Sequence, residues 1–145
     1  MSKSTKPKVV MVFGTFDFVH KGHKDFFKQA KRLGNKLVIS VARDINVKKI
    51  KGSQPWNSEK KRLAALKKLK LADKVMLGDK KNYIQHIKKI APDIIALGYD
   101  QRAYTKTLRQ DLRAAALKTK IVRMKAHHPH LYKSSKLKAK MLQSS

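Results

Sequence analysis

Two histidines, His20 and His23, stand three residues apart across a glycine in the run Gly14-Thr15-Phe16-Asp17-Phe18-Val19-His20-Lys21-Gly22-His23. The run follows an apolar, β-branched stretch ending at Phe13 and leads into helical spacing. A helix start offers unpaired N–H groups and the positive end of the peptide dipoles, a ready anion site. Gly14 and Gly22 let the backbone come close to a phosphate, and imidazole N–H groups stabilise charge growing on a phosphoryl group. On residue types alone the pair also reads as ordinary loop histidines, or as metal ligands with Asp17 the one obvious third ligand. The whole string behind a buried strand favours phosphate.

Other residues fall at comparable places. Lys49 and Lys51 lie in the polar stretch 43–57, read as a loop long enough to suspect function. Two ammonium groups there can clamp phosphate charge, or simply be solvated. Gly98 closes an apolar run and Asp100 follows it, suited to a ribose hydroxyl or a hydrated metal, or to a plain turn. Arg123 ends the last apolar run, and Ser134 and Ser135 precede Lys136-Leu137 as a second phosphate cradle or an N-cap. His127, His128 and His130 crowd one loop without carboxylates, which makes a poor metal site. Trp56 can stack on a flat ring or pack.

The elements that position these residues follow from periodicity. Lys8–Phe13, Lys36–Ala42, Lys74–Leu77, Asp93–Leu97 and Lys120–Met124 read as strands. Helical spacing links them: Phe26, Phe27, Ala30 and Leu33; then Leu63, Leu66 and Leu69 behind a cap at Asn57 or Ser58; then Tyr83, Ile84, Ile87 and Ile90, stopped by Pro92; then Leu108, Leu112, Ala115 and Ala116. This alternation predicts an α/β, Rossmann-like three-layer sandwich with a five-stranded, mainly parallel sheet. Residues 8–140 read as a single domain between a basic tail, 1–7, and a short tail, 141–145. Ligands of such sheets bind beyond the carboxyl ends of the strands, at the switch in strand order.

At 145 residues there is room for one sizeable core. With no cysteine, a disulfide framework, thiolate-bound zinc or iron–sulfur and a thiol nucleophile are excluded. No apolar run approaches bilayer-spanning length, and a soluble cytoplasmic protein without membrane insertion is the expectation. Lys and Arg number 36 against 9 Asp and Glu, a formal net charge of +27, spread along the chain rather than gathered in one tract. That suits a generally basic surface or one attracting polyanions, including weak, non-specific binding of nucleic acid.

The string from Gly14 to His23 resembles the signature G-T-F-D-x-x-H-x-G-H of the cytidylyltransferase-like nucleotidyltransferases, and the resemblance extends from about residue 8 to 140. It implies transfer of a nucleoside monophosphate from a triphosphate to a phosphorylated acceptor, with loss of pyrophosphate. His20, His23 and Lys49 would carry catalysis. Gly14, Thr15, Phe16, Lys51, Gly98, Asp100, Arg123, Ser134 and Ser135 would hold the nucleotide, and Asp17 and Arg62 the acceptor. Arg62 alternatively reads as a helix surface charge. Mg²⁺ would accompany the triphosphate, and family members are often homodimers, which no residue pattern here decides. Gly98-Tyr99-Asp100-Gln101 and the segment Ala42–Gly52 are most similar to the FAD-synthase branch, implying ATP and FMN. The alternatives are CTP with glycerol 3-phosphate or a similar phosphorylated alcohol, and a non-catalytic nucleic-acid binder on the same fold.

Overall fold

A computed structural model describes residues 8–98, 101 and 107–125. The chain runs β1 (Val9–Gly14), α1 (Lys21–Arg32), β2 (Lys36–Val41), α2 (Asp44–Lys51), α3 (Glu59–Leu69), β3 (Lys74–Leu77), α4 (Tyr83–Ile90), β4 (Ile94–Leu97), α5 (Leu108–Ala114) and β5 (Lys120–Arg123). The strands form a five-stranded sheet in the order β3-β2-β1-β4-β5, and every pairing is parallel. From β1 the chain builds outward through β2 to β3, then crosses back to β4 and β5. The order therefore reverses between β1 and β4, which opens a crevice at their carboxyl ends.

Alternation along the strands builds the layers. Val10 and Val12 of β1, with Leu37, Ile39 and Val41 of β2, meet Phe27 and Ala30 of α1 and Leu66 of α3 on one face. Met11 of β1 and Ile95 and Leu97 of β4 meet Ile87 of α4 and Leu108 and Leu112 of α5 on the other. The strands' amino ends are stitched by acids: Asp93 accepts from the Val9 N–H at 2.8 Å and Asp73 from the Leu37 N–H at 2.8 Å.

The expected loop at 43–57 is in part a helix, α2. Asp44 opens it in the first turn, where a carboxylate favours the dipole. Gly52 closes it at φ 83°, a left-handed conformation that favours glycine. Only Val47 of α2 is buried, while Ile45 and Ile50 are exposed, so no apolar stripe announces it. Among the described residues no helix is long and apolar enough to cross a membrane.

Candidate active site

β1 ends at Gly14, and the chain turns through Thr15 to Val19 into the head of α1. Phe16 sits at φ 53°, in the left-handed region, with its ring folded over Gly14. A Cβ on Gly14 would stand 3.0 Å from the tip of that ring. The ring is held edge-on against Phe27, with centroids 5.2 Å apart, and against His23, 5.5 Å apart. Gly14 and Phe16 thus form the seat of His23.

His20 caps α1. Its Nδ1 accepts from the Gly22 N–H at 3.0 Å, and His23 Nδ1 accepts from the His20 N–H at 3.3 Å. The two rings stack with centroids 4.0 Å apart, inclined by 29°. A nitrogen that accepts carries no proton, so this bonding pattern assigns the proton of each neutral ring to Nε2. Burial lowers the pKa of both. His23 falls to about 3, through burial first and the neighbouring His20 second, against an opposing hydrogen bond to the Phe18 backbone. Both rings are therefore neutral at pH 7, and the His23 proton is engaged by the Phe18 backbone, where an arriving anion would compete for it.

Asp17 and Arg62, expected at the acceptor, spend their polar atoms on the protein. The Asp17 carboxylate accepts from the Trp56 N–H at 2.6 Å and the Asn57 N–H at 2.8 Å. Arg62 is no surface charge, being 1 % exposed. Its guanidinium donates to the carbonyls of Thr15, Ala42 and Asn57 and to Asp44, at 2.6–3.0 Å. It locks together the segments that leave β1 and β2 and the start of α3. Trp56 is 56 % exposed, tilted on Phe18 at 6.1 Å.

A cleft of about 350 Å³ opens beyond the carboxyl ends of β1, β2 and β3. Asn46, Lys49 and Ile50 of α2 line it at the spacing of one helix face. Lys49 and Lys51 stand on a helix rather than on a flexible loop, and Lys51, two residues past Lys49, falls round it and is not among the lining residues. Lys80 and Lys81 line the cleft instead. Its most buried lining side chains are Met11, Ser40, His86 and Ile87. Ser40 Oγ and His86 Nε2 are 2.7 Å apart. The sequence reading missed this pair and Lys80 and Lys81. A serine inside the apolar run Leu37–Ala42, and a histidine one turn from Tyr83, were the available signals.

Across the switch point Gln101 ties β4 to β1, with Nε2 donating to the Phe13 carbonyl at 2.7 Å and Oε1 accepting from the Gly98 N–H at 3.1 Å. Exposed Arg123 joins through Nη1, which donates to the carbonyls of Gly98 and Gln101 at 2.8 and 3.0 Å. Gly14, Phe16, His20 and His23 are thus one cluster, and Gly98 and Arg123 are bound to the neighbouring strand end. Asp100, Ser134, Ser135 and the histidines at 127, 128 and 130 lie outside the described residues.

A family model described as cytidylyltransferase-like matches residues 11–141. A protein named FAD synthase from Ferroglobus placidus is 43% identical over 119 residues, 82% of this chain and 77% of that protein. A second FAD synthase, from Archaeoglobus profundus, is 42% identical over 126 residues, 87% of this chain and 80% of the relative. The crystal structure of a lipopolysaccharide core biosynthesis protein from Thermoplasma volcanium superposes with a TM-score of 0.77 at 35% identity, covering 84% of this chain and 99% of that one.

Proposed function

The chain belongs to the cytidylyltransferase-like family, and from that premise we propose that it is an FMN adenylyltransferase, making FAD from FMN and ATP. An oxygen of the FMN phosphate attacks the α-phosphorus of ATP in line. The new P–O bond forms as the bond from the α-phosphorus to the bridging oxygen breaks, and pyrophosphate departs with that electron pair. The attacking oxygen is already ionised, so no strong base is needed, and the rate rests on alignment and neutralisation of charge.

The observation that carries this reading is the stacked, neutral His20–His23 pair at the head of α1, beside the switch point. Neutral donors suit this task, because fixed N–H dipoles stabilise the charge that grows on the transferred phosphoryl oxygens without a desolvated cation having to be held in place. Gly14, Thr15 and Phe16 shape the turn beneath the nucleotide, and Gly98 and Arg123 its far side. Asp100, Ser134 and Ser135 are assigned to the nucleotide by motif. Asp17 and Arg62 position the loops around the acceptor.

The cleft fits the acceptor. Its volume lies in the range of small-ligand sites. Lys49, Lys80 and Lys81 bring positive charge to an otherwise largely apolar wall, which suits a flat ring carrying a phosphate. Lys51 is left to long-range attraction. Divalent metal, Mg²⁺ in this proposal, enters with the triphosphate. Among the described residues no three metal-ligating side chains gather, and Asp17 is engaged by the backbone; in this proposal the metal is held mostly through phosphates and water.

Pyrophosphate release tests the assignment, with ATP and CTP each set against FMN and glycerol 3-phosphate. ATP with FMN is expected to react, with FAD as the product. Turnover confined to CTP and glycerol 3-phosphate would overturn the substrate assignment. The +27 charge favours an accompanying weak attraction for nucleic acid, which must fall steeply with salt. Salt-sensitive binding with no pyrophosphate from any substrate pair would instead support the non-catalytic reading.

A further inference from the structure

β2 buries Leu37, Ile39 and Val41 against the face covered by α1 and α3, and by alternation Ser40 faces the other side. There Ser40 is 3 % exposed and His86, brought down onto the sheet by α4, is 9 % exposed, with their Oγ and Nε2 atoms 2.7 Å apart. Both line the cleft. Met11 and Ile87 beside them are apolar and 1 % exposed. As a structural bond this pair adds little net stability, and two apolar side chains of similar shape would serve the fold as well. Its place at the base of a cleft gives it another use.

The neutral His86 ring has two tautomers. With its proton on Nε2 the ring donates to Oγ, and the serine hydroxyl proton turns into the cleft. With its proton on Nδ1, Nε2 accepts from the serine hydroxyl, and the oxygen keeps a lone pair for the cleft. The pair can thus answer either a carbonyl or an N–H. Burial lowers the His86 pKa and keeps the ring neutral, so both arrangements are open at neutral pH. Gly78 leaves Oγ approachable, since a Cβ there would stand 3.4 Å from it. The ammonium groups of Lys49, Lys80 and Lys81 are on exposed residues. The cleft therefore carries its lysines on exposed lining residues, beside Arg43 and Asp79, and holds the neutral Ser40–His86 pair with Met11 and Ile87 as its most buried lining. A short phosphorylated alcohol has nothing to place there. A phosphorylated fused ring with adjacent C=O and N–H groups has.

We propose that Ser40 and His86 read the imide edge of the acceptor's ring, and so determine which phosphorylated ring the enzyme accepts. This rests on the FMN reading above. The test compares FMN with its analogue methylated on the ring nitrogen between the two carbonyls, under saturating ATP, in the wild type, Ser40→Ala and His86→Leu. In the wild type the analogue's KM should exceed that of FMN about tenfold, the scale of one lost hydrogen bond. Ser40→Ala and His86→Leu should raise the KM for FMN about tenfold, bring the two flavins to within about twofold, and leave the KM for ATP in place. A purely structural role would weaken both flavins and keep their ratio. The wild-type ratio needs no variant to fold: a value near one overturns the proposal, as does an undiminished ratio in the variants. If the wild type makes no FAD at all, the functional reading fails and this proposal with it. If it makes FAD without discriminating, only this proposal fails.

Discussion

In the proposed role a neutral histidine donates to a phosphate from whichever nitrogen carries its one proton. His20 and His23 fix that choice for each other, because each Nδ1 accepts from a backbone N–H of the same turn. Stacking at 4.0 Å makes a second positive charge there costly. His23→Ala removes one preset donor and should lower kcat by about 10²–10³, the usual cost of deleting such a group. The KM for FMN should stay near that of the wild type, since the lost interaction belongs to the transition state. Turnover of His23→Ala at the wild-type rate would refute the role. The histidine pair was legible in the sequence because a spacing of three at a helix start is itself geometry. Lys49 and Lys51 were not, because whether residues two apart face the same way depends on an element whose helicity their own pattern conceals. Ser40 and His86 lie 46 residues apart, and nothing local joins them.

Strands and long helices showed themselves through apolar periodicity, whereas α2 is held by polar contacts that periodicity does not register. Arg43 Nε donates to the Gly78 carbonyl at 2.7 Å and Nη1 to Glu59 at 3.0 Å, while Asn46 Nδ2 donates to the Asp79 carbonyl at 3.0 Å. Asp44 meets Arg62 of α3. The segments leaving β1 and β2 are thus set by one buried guanidinium that from sequence read either as an acceptor-binding arginine or as a helix surface charge. Arg62→Met keeps much of the volume but strips three carbonyls and Asp44 of their donor. Loss of about 3–5 kcal/mol in urea unfolding is expected, as for other broken buried pairs. Lys60→Ala, on the exposed side of α3, should move stability by no more than about 0.5 kcal/mol. Equal effects from the two would show that Arg62 does not brace this corner.

Across the whole molecule the rarity of acids gives each one a task. Apart from Asp100, outside the described residues, every Asp and Glu has a hydrogen-bonding partner within the fold. Few remain to balance the lysines, so acidification should destabilise the protein in two stages. His23 binds its proton near pH 6.5 when unfolded but only near 3 when folded, because it is buried; His20 and His86 shift in the same direction, also through burial. Between those values the unfolded chain holds more protons, so stability falls as pH falls, by up to about 1.4 kcal/mol per pH unit for His23. The carboxylates act lower down. Asp73 is held below its ordinary value first by the Leu37 N–H, and Asp79 by those of Asn82 and Lys81. Their contribution is complete above the unfolded carboxylate range and is lost as pH falls through the lowered folded values. Repulsion among the lysines is screened by salt, whereas desolvation of buried imidazoles is not. The urea midpoint should therefore hold steady above about pH 7, decline from about 6.5 towards 5, and keep that decline in about 0.5 M salt. A midpoint that stays level down to pH 5, or a decline abolished by salt, would mean that surface charge rather than the buried histidines governs the acid response.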